Sequence, residues 1–227
     1  MVAIFVALMF VGLVLTDLGV DRWKAWQAAR AVRPLESTAS AGLESLWQVP
    51  EGVHVSSTHT WFRPDPAGGL EMGADSLIAH AIGAVQQIVL PRPGEQVTAG
   101  QPLFRLLRDG RKINVPSTLS GKVAAVNSQL SDEPSLVNSD PYGRGWICRI
   151  TPTATGGLAP STRFGETAIL WLESEFSRLR EFLSVQMDPE LALGATSQDG
   201  GVPTSGCLAE LDNRAWSAFE KEFLNLQ

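Results

Sequence analysis

Between Val53 and Gly121, glycine and proline interrupt the chain at short intervals. That punctuation leaves room for short strands joined by tight turns and excludes long helices from this stretch. The spacing predicts strands at Leu70–Met72, Val85–Leu90, Leu103–Leu107, Ile113–Val115 and Gly121–Val126, with one or two helical turns at Leu77–Ile82. Turns fall at Pro64–Gly69, Pro91–Gly94 and Thr98–Gly100, and Asp109-Gly110 is a two-residue hairpin signal. Two segments echo each other. Gly83-Ala-Val-Gln-Gln-Ile88 is matched 38 residues later by Gly121-Lys-Val-Ala-Ala-Val126. Two similar hairpin units packed face to face would give each apolar strand face a partner.

Such a quasi-symmetric sandwich is the plan of lipoyl and biotinyl carrier domains, and one motif makes the resemblance specific. Leu136-Val-Asn138-Ser-Asp140-Pro141-Tyr142-Gly143-Arg-Gly145-Trp146-Ile-Cys-Arg-Ile150 resembles the C-terminal signature of glycine cleavage H proteins. His59-Thr-Trp61, Val89-Leu-Pro91, Gly94-Glu-Gln-Val97-Thr-Ala-Gly100 and Ser120-Gly121 resemble further family motifs in the same order. The resemblance covers about 100 residues. It implies a mainly β fold with added α, built on a lipoyl/biotinyl-type barrel-sandwich hybrid over 53–155. Asn138, Asp140, Pro141 and Gly143 are turn formers and Tyr142 and Trp146 are packing residues, so the signature points to fold and not to chemistry.

In that family one lysine at a hairpin tip carries lipoate, eleven residues before the glycine of the Ser-Gly pair. Here that position is Gly110, in the frame Leu107-Arg-Asp-Gly-Arg111. The family's aspartates after the threonine and in the Gly-Asp-Ile strand start read Ser76 and Ala84. The expectation is therefore that no cofactor is carried. The alternative is attachment at Lys112, two residues along the return strand and on the same face. His59 and His80 read as core-edge or capping groups.

Residues Val2 to Leu15 form an apolar run broken only by Gly12, followed by Asp17, Trp23 and Trp26. An apolar run with indoles at its border reads as a membrane anchor over 1–33. Val2, Phe5, Phe10 and Leu15 would lie in the lipid bilayer and Trp23 and Trp26 at its interface. Arg22, Lys24, Arg30 and Arg33 follow the run and no Lys or Arg precedes it. The positive-inside rule then predicts a single-pass inner-membrane protein with its C-terminal part in the cytoplasm. Residues 34–52 read as a tether.

Within 156–227, two amphipathic helices are predicted, at 166–187 and 212–224, with apolar residues at three- and four-residue spacing. They can pack on the module, or present Trp171, Phe176, Trp216 and Phe219 to a partner. The net charge of −6 and a sequence pI of about 5.1 argue against nucleic acid as a partner. No catalytic constellation, phosphate loop or metal-ligand spacing stands out, so an enzyme is not expected. Together these features lead to the expectation of a non-catalytic accessory subunit of a respiratory or photosynthetic electron-transfer complex, contacting integral-membrane protein subunits. Two alternatives are a membrane-tethered carrier modified at Lys112 and a binding protein using the cleft between module and extension.

Overall fold

The computed structural model describes residues 46–153, 162–187 and 202–224. The chain divides into two compact units, Met1–Glu44 and Ser45–Gln227, and all described residues belong to the second. The anchor residues Val2, Phe5, Phe10, Leu15, Trp23 and Trp26 lie outside the described residues. Among the described residues, no helix is long and apolar enough to cross a membrane.

In chain order the elements are β1 (His54–Val55), β2 (Thr60–Pro64), β3 (Leu70–Ala74), α1 (Ser76–Ile82), β4 (Gln87–Val89), β5 (Gln96–Val97), β6 (Pro102–Arg108), β7 (Arg111–Pro116) and β8 (Gly121–Val126). They continue with α2 (Leu136–Ser139), β9 (Cys148–Pro152), β10 (Arg163–Phe164), α3 (Gly165–Gln186) and α4 (Asn213–Leu224). The strands form two sheets. One has the order β10-β1-β2-β3-β9-β8-β5 and the other is β4-β6-β7. Trp61, Met72, Val123 and Ile150 from the first sheet and Leu106, Ile113 and Val115 from the second are fully buried, so the inner faces make one core. This is a mainly β, lipoyl-type sandwich.

The two echoing segments fall on opposite sheets, as face-to-face packing requires. They are not equally strand-like. Gly121–Val126 is β8, whereas Gly83 adopts φ +71 to end α1 and the strand begins only at Gln87. The reason is local: the Val85 amide donates to Asn138 Oδ1 at 3.0 Å, so it is drawn away from any ladder. The predicted strand at 85–90 is therefore shortened to three residues.

The predicted C-terminal helices form within a residue of their expected ends. Asp212 lies just before α4 and accepts the Ala215 amide at 2.7 Å, the ordinary N-cap bond. Leu172, Phe176, Leu179 and Leu183 on α3 and Phe219 and Phe223 on α4 are buried in the chain's own core. The extension is also stitched into the large sheet, because β10 pairs His54 with Phe164.

Candidate functional site

The hairpin β6–β7 holds the position that the H-protein resemblance assigns to an acyl acceptor. Its tip is Asp109–Gly110, with φ +49 and +75. Positive φ at both central residues is the type I′ pattern, which matches the right-handed strand twist. Gln86 fixes the tip from outside: its side-chain amide donates to Asp109 Oδ1 at 2.8 Å and its oxygen accepts the Asp109 amide at 3.0 Å. Gly110 offers no amine there. Lys112 pairs across the hairpin with Leu107, two residues down the return strand, and its side chain is exposed.

The C-terminal extension grips this hairpin. Arg108 donates to the Ile82 carbonyl at 2.6 Å, and its guanidinium lies where a side chain at Gly83 or Gly206 would sit. Arg111 donates to the Leu211 carbonyl and stacks over Trp216, 5.2 Å from the ring centroid. The Trp216 indole N–H donates to the Lys112 carbonyl at 3.1 Å. Glu220 Oε1 accepts the Asn114 backbone and side-chain N–H groups at 3.2 and 3.1 Å. Since β7 is the outer strand of its sheet, α4 satisfies an edge that would otherwise be open to another chain.

The histidines occupy other ground. His59 is fully buried, with φ +57 and its ring stacked on Trp171 at 5.1 Å. Nδ1 lies 2.8 Å from Asp75 and Nε2 is 3.5 Å from Glu175, which also pairs with Arg178 at 3.0 Å. Burial alone would push the imidazole down, but the two carboxylates outweigh it and hold the pKa at about 9. The pair therefore carries an ionised histidine that joins α3 to the N-cap of α1, where Asp75 Oδ1 accepts the Ile78 amide. His80 Nε2 lies 2.7 Å from the Pro203 carbonyl, and burial lowers its pKa, partly offset by that bond.

A cleft of about 250 Å³ opens between module and extension beside Ser76, His80, Asn138, Asp140, Tyr142 and Ser205. Its polar groups are engaged internally. Asn138 Nδ2 donates to the Ala79 and Gly83 carbonyls, each at 2.6 Å, and Tyr142 shares its hydroxyl with Ser76. Asp140 Oδ2 accepts the Arg144 amide at 2.8 Å. The signature motif thus locks α1 and α2 together.

The proposed partner-facing aromatics are placed by their own packing. Phe176 and Phe219 are 2% and 0% exposed, Trp216 is 9% exposed, and Trp171 is half-buried against His59 and Arg163.

Residues 53–159 match the family model for the glycine cleavage H-protein. The glycine cleavage system H protein of Micrococcus luteus is 38% identical over 104 residues, which make up 45% of this chain and 81% of that protein. The chain belongs to the glycine cleavage H-protein family. The H protein of Mycobacterium avium is 31% identical over 133 residues, covering 59% of this chain and 98% of the relative. A crystal structure of the H protein from Mycobacterium marinum overlays on 48% of this chain and 90% of its own, with 28% identity and a TM-score of 0.44. These relatives overturn the expectation of an accessory subunit of an electron-transfer complex. They are named as components of the glycine cleavage system, so integral-membrane subunits are not the partners that the family points to.

Sequence reasoning missed the clamp on β7 and the His59–Asp75–Glu175 cluster. An indole N–H and a carboxylate one turn apart on α4, Trp216 and Glu220, were the available signal for the first. The second joins positions with no spacing rule to link them.

Proposed function

We propose that this chain is a non-catalytic lipoyl carrier of the glycine cleavage type, serving the enzymes of that system, with Lys112 as its acceptor. The observation that carries the reading is the placement of Lys112. It is the hairpin's only amine, it is exposed, and among the described residues no carboxylate pairs with it. The residues fit an amide-linked arm, displaced from the tip by two positions. Lys122 on β8 and Lys221 on α4 lie outside the hairpin. When bound, lipoate supplies a dithiolane that accepts and hands on a one-carbon amine fragment. This chain's part is to present the amide nitrogen on a rigid strand, which Trp216 and Glu220 fix from the edge.

Co-expression with a lipoyl ligase and lipoate tests this. Intact mass should rise by one lipoyl increment, tryptic fragments should place it on Lys112, and K112R should stay unmodified. An unmodified wild-type chain would sink the proposal.

The same reading keeps residues 1–33 as an anchor that holds the carrier at the inner-membrane surface, supported by the apolar run Val2–Leu15. The full chain should then resist extraction from the membrane fraction by alkaline carbonate, and a chain lacking residues 1–33 should be soluble. Release of the full chain by carbonate would end this part of the reading.

A further inference from the structure

Strand alternation sorts the small sheet into two faces. Leu106 and Ile113 point into the core. The outward residues form two cross-strand rows, Gln87–Leu107–Lys112 and Val89–Arg105–Asn114. Val89 is 40% exposed, one of few large apolar side chains so open among the described residues. A groove of about 280 Å³ runs beside it, lined by Leu90, Pro91, Arg92, Glu95, Pro102 and Arg105.

The charge on this face is mainly positive. Arg92, Arg105 and Lys112 are all exposed, and among the described residues none of them forms an ion pair. Arg105 donates Nε–H to Asn114 Oδ1 at 3.1 Å, which holds its guanidinium over the sheet. The nearby carboxylates are held by other groups: Glu95 accepts the Arg92 backbone amide at 2.8 Å, Glu220 accepts both Asn114 N–H groups, and Asp109 accepts from Gln86. The other hairpin cations are engaged elsewhere, Arg108 with the Ile82 carbonyl and Arg111 with the Leu211 carbonyl. Three unneutralised cations around an apolar centre stand out on a chain of net charge −6.

We propose that the outer face of the β4-β6-β7 sheet is a docking surface for an acidic protein surface. Partner carboxylates meet Arg92, Arg105 and Lys112, and an apolar side chain fills the groove at Val89. An apolar centre with a charged rim is the usual interface plan, and the rim sets partner choice and encounter rate. Because α4 covers the β7 edge, the partner meets the face of the sheet and does not add a strand. Arg92 and Arg105 carry the contact on their own, because acylation would turn the Lys112 ammonium into a neutral amide.

The test uses the full-length K112R chain, which keeps the charge and cannot carry an arm. A fluorescent twelve-residue peptide of alternating Glu and Leu is the probe, read by anisotropy. Binding should weaken by about tenfold between ~50 and ~300 mM salt. R92E/R105E, checked for an unchanged denaturation midpoint, should lose about tenfold at low salt. Phenylglyoxal modification of Arg92 and Arg105 should be slowed by the peptide. Equal binding of a Gln/Leu peptide, protection at other arginines only, or tighter binding to phosphatidylglycerol vesicles than to the peptide would each overturn the proposal. Failure here leaves the mass result on Lys112 unaffected, and the reverse also holds.

Discussion

Replacing His59 with leucine is expected to destabilise the fold by about 3–5 kcal/mol at neutral pH and to abolish the pH dependence of stability expected of the native chain. The ring is fully buried between Asp75 and Glu175. Leucine fills similar space but leaves two carboxylates facing an apolar side chain. Arg178 remains beside Glu175, whereas Asp75 keeps only its bond to the Ile78 amide. The sign of the pH effect follows from the direction of the shift. Native His59 titrates near 9 and an unfolded histidine near 6.5. The unfolded chain therefore releases its proton first as pH rises. The stabilisation is complete below about 6.5 and is lost between 6.5 and 9, with a total on the order of 3 kcal/mol. Urea midpoints for both proteins at several pH values across that window check this. Parallel curves for the wild type and His59→Leu would show that the imidazole carries no charge in the fold.

Much of the β module was legible because its signals are local. Asp109-Gly110 announced a type I′ turn, and both residues have the positive φ that such a turn demands. Gly121–Val126 alternates cleanly and is a strand. The signature from Leu136 to Ile150 identified the family from turn and packing residues alone. The parts that escaped are made by residues far apart in sequence. β1 and β10 are two residues each, too short for any periodicity, and their pairing joins His54 to Phe164. The stripe of Trp216, Phe219 and Phe223 showed that α4 has an apolar face. It could not show that the surface beneath is the edge of β7, nor that the Trp216 indole would find the Lys112 carbonyl. The same limit applies to the acceptor. Sequence spacing put glycine at the family position, and only the register shows Lys112 exposed beside the turn.

Phe219→Ala is expected to cost about 3–5 kcal/mol and, more tellingly, to loosen the hairpin that bears Lys112. Phe219 is fully buried, stacked on Phe223 at 4.8 Å and edge-on to Phe182 at 6.1 Å. These three rings hold α4 against α3, with Phe182 also meeting Phe223 at 5.6 Å. Removing the middle ring leaves a cavity that the two helices can close only by shifting. Glu220 is the next residue on α4, so a shift breaks its bonds to Asn114, and the open edge of β7 regains an unpaired N–H and C=O. Two readouts separate the effects. The urea midpoint reports the cavity, and hydrogen exchange at the Asn114 amide reports the clamp, since that proton has no other partner among the described residues. Its exchange should accelerate more than the drop in global stability explains, while the inward Ile113 and Val115 amides follow the global change. If Asn114 stays as protected as its neighbours, α4 rests on the hairpin without holding it. The rigid presentation of Lys112 would then have to come from the sheet alone.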